Sequence, residues 1–296
     1  MRCDMHILVT QSAKHLIHSF NPSLLVPYQC DHREDGELSM RLLSYIELTS
    51  LVIISQIASP AEHVLELAFL LHFLSKQKQK INVYLFLSYL SYGRYDFAEK
   101  YTIAPWYFLQ SMLQLSIVKK INVLHSHDTV GLNKIISFKD RIDWQLFCVA
   151  AQAAEYIVAP DKGAEMLAQQ LSQKTGKPYL VLHKKRITPQ ELIIRPATNN
   201  IAVIKNKRVL VVDDMIASGL TAEQVAFFLH SAGVKELFLA ATHFVGNNNV
   251  LQKIKPLFKQ ITISNSVPSA AQGQEKIIGI IKYDISPFIA QSIITD

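Results

Sequence analysis

What most limits how this chain can fold is an alternation: short apolar runs rich in β-branched residues, separated by longer segments of helical period. A short continuous apolar run suits a strand covered on both faces. Two such strands joined in parallel need a crossover long enough to hold a helix. Parallel α/β sheets are therefore expected. The runs place strands at Leu51–Gln56, Asn82–Leu87, Lys120–His125, Tyr156–Ala159, Tyr179–His183, Arg208–Asp213, Leu237–Thr242 and Gln260–Ser264. Between them, Ala61–Gln77, Trp106–Leu115, Gly163–Thr175, Ala222–Ala232 and Asn248–Leu257 have the length and spacing of amphipathic helices. Gly176 and Gly233 follow two of these, where a left-handed C-cap residue is wanted. No short period repeats, so a solenoid is not expected.

At 296 residues the chain is long for one core, and two domains of roughly 150 residues are the default expectation. The polar stretch Ser126–Asp143 is the best boundary between two α/β halves, and Ile187–Asn206 reads as a loop or ribbon between strands. The formal charge of +6 could attract nucleic acid, a membrane surface or small polyanions. Basic residues come in twos and threes without interleaved aromatics, which argues against nucleic acid. The apolar run at Ile7–Val9 is too short for a secretion signal, and Val64–Leu74, interrupted by Glu66, is too short for a membrane span. Cys3, Cys30 and Cys148 lie far apart with no CxxC, a pattern of reduced thiols. A soluble, cytoplasmic protein with no membrane or nucleic-acid partner is expected.

The most informative segment is Arg208-Val-Leu-Val-Val-Asp-Asp-Met-Ile-Ala-Ser-Gly-Leu-Thr221. An apolar strand ends in two adjacent carboxylates, small and hydroxyl-bearing residues make a turn, and a helix starts near Thr221. Such a turn offers backbone N–H groups and the positive helix end to an anion, with hydroxyls from Ser218 and Thr221. Gly219 permits close approach or a positive φ. Asp213 and Asp214 cannot favour a phosphate, but they can accept hydrogen bonds from sugar hydroxyls beside it. An ordinary helix cap with two solvated aspartates is the bland alternative. Neither Gly-x-x-x-x-Gly-Lys nor Gly-x-Gly-x-x-Gly occurs, and Gly176-Lys177 precedes Pro178 as a helix exit would, so P-loop and Rossmann readings lose.

The run Val211–Thr221 resembles the phosphoribosyl pyrophosphate motif shared by type I phosphoribosyltransferases and ribose-phosphate pyrophosphokinases. It departs at Ala217, where an acid or threonine is usual, and at Leu220, where glycine is usual. Five further segments, in order over nearly the whole chain, resemble the pyrophosphokinases. Asp35-Gly-Glu37 resembles the loop reaching the adenine of a neighbouring subunit's ATP, with Arg33 in place of an aromatic. Leu87–Asp96 resembles the strand and loop carrying an Arg-Gln-Asp contact to ATP; Arg94 and Asp96 match and Tyr95 replaces the glutamine. Val123-Leu-His125 resembles the Asp-Leu-His segment whose histidine helps hold Mg-ATP, with Val123 for the acid. In the second half, Val158-Ala-Pro-Asp-Lys-Gly163 resembles a Pro-Asp-Gly-Gly turn whose carboxylate, Asp161 here, orders metal or ribose ligands, while Met166-Leu167 stands for a Lys-Arg pair. His183-Lys-Lys-Arg186 resembles the Lys-x-Arg at the root of a catalytic loop.

The resemblance implies an α/β fold of two tandem phosphoribosyltransferase-like domains, each a mainly parallel sheet flanked by helices. Residues 1–140 would bind ATP, residues 141–284 would bind ribose 5-phosphate, and 285–296, with the helical segment Ser286–Ile294, would close back on the first domain. It implies transfer of the β,γ-diphosphoryl group of ATP to the anomeric hydroxyl of ribose 5-phosphate. Lys184, Arg186, Arg94 and His125 would be catalytic, and Asp35, Glu37, Arg94, Tyr95, Asp96 and His125 would bind ATP. Asp161, Asp213, Asp214 and Ala217, Ser218, Gly219, Leu220 and Thr221 would bind ribose 5-phosphate. Mg²⁺ would be held at His125 and Asp161, in a homo-oligomer, dimer or hexamer. Two other readings stay open: a catalytically weak or inactive regulatory subunit of the same family, and a phosphoribosyltransferase or regulator that binds phosphoribosyl pyrophosphate.

Overall fold

The computed structural model of the chain describes residues 6–43, 48–92, 106–127, 133, 137–188, 191–196, 201–268 and 278–294. The chain divides into two compact units, Met1–Ile142 with Ile285–Asp296, and Asp143–Asp284.

The first unit is built on a sheet ordered β1 (His6–Val9), β4 (Ser50–Ile57), β5 (Asn82–Leu90), β6 (Val118–Leu124) and β7 (Lys139–Arg141). Every neighbouring pair is parallel. The central strands are buried almost along their length, which is why they read as uninterrupted apolar runs. Helices α1 (Glu62–Ser75) and α2 (Trp106–Leu113) supply crossovers. Strands β2 (Tyr28–His32) and β3 (Leu38–Leu42) form a separate antiparallel hairpin. The last helix of the chain, α7 (Ser286–Ile294), returns to a 3₁₀ helix at Gln11–Ser19, with the Ser286 and Ser19 hydroxyls 2.7 Å apart and Ile285 and Ile289 fully buried.

The second unit carries α3 (Trp144–Ala151), β8 (Tyr156–Ala159), α4 (Glu165–Thr175), β9 (Tyr179–Thr188), β10 (Glu191–Pro196), β11 (Arg208–Ile216), α5 (Leu220–Ser231), β12 (Glu236–Phe244), α6 (Asn248–Ile254), β13 (Gln260–Ser264) and β14 (Ile280–Tyr283). Its sheet runs β10-β9-β8-β11-β12-β13-β14, parallel except for the β9–β10 ribbon. Chain order proceeds outward from β8 to β9 on one side and from β11 to β12 on the other. The exits of β8 and β11 therefore diverge, and open α/β sheets hold ligands in the crevice at such a reversal.

Seven of the eight expected strands lie within a strand of the structure, the eighth overruns β6 by His125 alone, and the α/β expectation holds. Boundaries differ for local reasons. Strand β11 does not stop at Asp213 but continues to Ile216, because β12 runs beside it and pairs Met215 with His243 and Ile216 with Phe244. Helix α4 starts at Glu165 rather than Gly163, since the Asp161 carboxylate accepts from the Gly163 and Ala164 amides at 2.8 and 3.3 Å and holds them in a turn.

Candidate functional site

At the end of β11, Asp213 and Asp214 occupy partly buried positions, and Asp213 Oδ1 accepts from the Asp214 amide at 3.0 Å. Because β8 pairs with β11 only as far as Val211, the acids lie just beyond the last shared hydrogen bonds, where the two strands part. Asp161 leaves β8 at the same edge. Burial first, then the neighbouring Asp214 charge, with Asp161 adding its own, holds the Asp213 carboxyl well above the usual carboxylate range. Three acids from two strands are thus close enough to repel, and hydroxyl donors or a cation would relieve them.

The following turn, Ala217–Gly219, joins β11 to α5. Among the described residues the backbone amides of Ala217, Ser218 and Gly219 have no protein acceptor, and the Leu220 amide has only the Ser218 hydroxyl at 3.4 Å. Ser218 is exposed while Ala217, Leu220 and Thr221 are half-buried, so the turn opens to solvent. Buried or half-buried amides without acceptors at a helix start are what an anion site requires. Gly219 has φ +75°, and a Cβ there would lie 2.9 Å from Val250 Cγ1 and 3.0 Å from Ile254 Cγ2. Glycine is demanded both by the backbone and by the packing of α6 beneath the turn.

Two residues in this region escape a linear reading of the sequence. A Cβ on Gly246 would stand 2.6 Å from the Ala217 carbonyl oxygen, and the Val245 amide donates to Ile216 O at 2.9 Å, so the exit of β12 buttresses the turn. The lone glycine after an apolar strand was the available signal. His243, 1% exposed, has Nδ1 2.7 Å from the Ser266 hydroxyl and sits opposite Met215 in the sheet. The Lys184 and Arg186 backbones lie two residues apart on β9, opposite Ile194 and Leu192 of β10, past the last β8 pairing at Val181.

In the first unit, His125 follows β6, is 7% exposed, and its amide donates to Arg141 O at 2.8 Å. It has φ +41°, and Tyr92, following β5, has φ +70°. Two non-glycine residues in the left-handed region at the same edge of one parallel sheet mark a strained rim, where binding sites concentrate. Arg94, Tyr95 and Asp96 lie outside the described residues. Asp35 and Glu37 sit at the exposed tip of the β2–β3 hairpin around Gly36 (φ +88°), where Asp35 Oδ1 accepts from the Glu37 amide at 3.0 Å.

Among the described residues no three His, Cys, Asp or Glu side chains gather so as to hold a metal ion. Asp161 alone could still give one carboxylate to a Mg²⁺ whose other positions are filled by water and substrate phosphates, a common way for that ion to be bound. No described helix is long and apolar enough to cross a membrane.

Residues 140–272 match the model of the phosphoribosyl transferase domain family. The chain is 33% identical over 113 residues to a ribose-phosphate pyrophosphokinase of Pyrococcus abyssi, a match covering 38% of this chain and 39% of that protein. A second ribose-phosphate pyrophosphokinase, from Halalkalibacterium halodurans, is 24% identical over an alignment covering 98% of this chain and 94% of that one. The chain is thus similar to ribose-phosphate pyrophosphokinases over nearly its whole length. Matches to the three archaeal relatives, including that of Pyrococcus abyssi, span about two fifths (39%) of their length. The phosphoribosylpyrophosphate synthetase of Mycobacterium smegmatis superposes with a TM-score of 0.81 over 98% of both chains at 18% identity. The fold is accordingly α/β with two tandem phosphoribosyltransferase-like domains, each a mainly parallel sheet flanked by helices.

Proposed function

We propose that the protein is a ribose-phosphate diphosphokinase, and the observation carrying this reading is the turn Ala217–Gly219. Its unclaimed amides follow directly on a pair of acids at the strand reversal of the second unit. The 5-phosphate would rest on the amides of Ala217–Leu220 with the hydroxyls of Ser218 and Thr221. Asp213 and Asp214 would accept from the ribose hydroxyls, and the raised proton affinity of Asp213 favours such donors. Residues 141–284 would thus form the ribose-phosphate domain. ATP would bind to residues 1–140 through Arg94, Tyr95, Asp96 and His125, with Asp35 and Glu37 offered to a neighbouring subunit in a homo-oligomer. The segment 285–296 would close the first domain. Mg²⁺, held at His125 and Asp161, would screen the phosphate charges.

In the reaction the anomeric oxygen of ribose 5-phosphate bonds to the β-phosphorus of ATP, the bond from that phosphorus to the α,β-bridging oxygen breaks, and AMP departs. The hydroxyl proton is lost to solvent. Lys184, Arg186 and Arg94 would contribute fixed positive charge to the transferring group, which is the main help a protein gives to phosphoryl chemistry. A setting in the cytoplasm suits both the substrates and the unpaired Cys30 and Cys148.

The purified chain, given ATP, ribose 5-phosphate and Mg²⁺, should release AMP and phosphoribosyl pyrophosphate in equal amounts. Asp214→Asn or Lys184→Ala should lower that rate by about 100-fold or more. Met166 is 68% exposed on α4 where the family places a cation, and this favours a second reading, a regulatory subunit of low activity. Absence of AMP release across a range of metal and phosphate concentrations would sink the first reading in favour of the second.

A further inference from the structure

Helix α1 of the first unit is apolar on two sides. Its inner side, with Val64, Leu67, Leu70, Leu71 and Leu74, is buried and belongs to the core of that unit. Its outer side carries Leu65, Phe69 and Phe73, and the two phenylalanines are 49 and 52% exposed. A helix apolar all round is expected to be covered all round. Large apolar side chains grouped on a folded surface mark a contact site.

The outer side has a pattern that fits itself. Glu62, Leu65, Phe69, Phe73 and Lys76 are all exposed, and Lys76 continues the helical backbone as its C-cap. At 3.6 residues per turn these five follow one narrow stripe, with the three- and four-residue steps of helices packed side by side. Phe69 lies midway between Leu65 and Phe73, and midway between Glu62 and Lys76. A second α1 laid antiparallel across a two-fold axis at Phe69 therefore sets Leu65 on the partner's Phe73 and Glu62 on the partner's Lys76. An isologous contact occurs twice, so both ends gain an ion pair. Antiparallel helices also place each positive N-terminus beside a negative C-terminus. Among the described residues neither Glu62 nor Lys76 takes part in an ion pair within the chain.

Three apolar side chains per copy are few against the roughly 800 Å² per partner of a stable interface. Helix α2 packs beside α1 and adds Tyr107 and Phe108, both exposed. An anionic membrane would suit Lys76, Lys78 and Lys80 but would repel Glu62, which stands on the same stripe. We propose that the outer side of α1 is a contact between two copies of this chain, antiparallel about Phe69, with Glu62 of each copy against the partner's Lys76. The inference rests on the first unit alone and does not depend on the diphosphokinase reading.

The test is sedimentation velocity of the full chain at micromolar concentration, without ATP or ribose 5-phosphate. The chain should sediment as a dimer or as a multiple of dimers. Phe69→Glu sets like charges face to face on the axis and should raise the dissociation constant by about 100-fold or more. Glu62→Lys or Lys76→Glu alone should raise it by about tenfold, since each creates two like-charge contacts. An equimolar mixture of those two variants should associate as the parent does, because opposite charges then meet at both ends. All three positions are exposed, native circular dichroism checks each fold, and the charge reversals carry the test should Phe69→Glu fail to fold. A monomeric parent, an assembly whose size Phe69→Glu leaves unchanged, or single reversals that mixing does not rescue would overturn the proposal. A monomer that sediments with vesicles of anionic lipid would overturn it in favour of a membrane.

Discussion

Asp213 shows how a side chain suited to a substrate can be ill suited to the empty protein. Burial and the Asp214 charge raise its folded-state pKa above that of the unfolded chain. The folded protein therefore holds the proton more tightly, and stability falls as pH rises through the folded-state pKa. Asp213→Asn removes that charge. In thermal melts it should stabilise the ligand-free protein at neutral pH by about 1 kcal/mol, flatten the pH dependence, and abolish ribose 5-phosphate binding. Gly246 makes the complementary point. An added Cβ would meet backbone, the Ala217 carbonyl, which cannot move without shifting the turn. Gly246→Ala should raise the KM for ribose 5-phosphate by about 10-fold or more. Gly233→Ala, where φ is +80° and the nearest contact is a lysine stem at 3.4 Å, should cost about 1–2 kcal/mol of stability and leave KM alone. The turn itself was legible in the sequence because Asp213–Thr221 is contiguous. Gly246 was not, because it reaches the turn from a neighbouring strand.

At the scale of elements, legibility followed burial. Strands covered on both faces, such as β4 and β11, announced themselves as apolar runs. The half-exposed hairpin β2–β3 and the short β1 and β14 gave too weak a pattern, and α3, Trp-Gln-Leu-Phe-Cys-Val-Ala-Ala, is so apolar that no face stands out. Glu66 on α1 looked like an interruption of an apolar run and is instead an anchor. It is 2% exposed, and its carboxylate accepts from the Gln11 and Ser12 amides at 2.6 and 3.2 Å, tying α1 to the 3₁₀ helix. Burial raises its pKa against the opposing pull of those two amides. Ionised Glu66 thus costs stability that is recovered at acid pH, and stability should decline as pH rises through its folded-state pKa. Glu66→Gln should remove that slope in pH-dependent denaturant melts. Glu66→Leu should instead cost about 1–3 kcal/mol for each amide left without an acceptor.

For the whole molecule, two separate apolar cores underlie the two units: one around Leu51, Ile53, Leu67 and Leu85, the other around Val211, Val225, Leu239 and Ile261. Neither borrows residues from the other, so the second unit has what a domain needs to fold alone. Excised Asp143–Asp284 should melt as a single cooperative transition in calorimetry and gain thermal stability with ribose 5-phosphate, yet release no AMP from ATP. A fragment that folds but ignores the sugar phosphate would move its binding site elsewhere. The most direct measurement is the amide proton shift of Ala217, Ser218 and Gly219 in labelled full-length protein titrated with ribose 5-phosphate. All three should move downfield in step and saturate together, while ribose without its phosphate leaves them in place. Amides that stay put while ribose 5-phosphate binds, or that respond equally to ribose, would contradict the assignment of the phosphate to this turn.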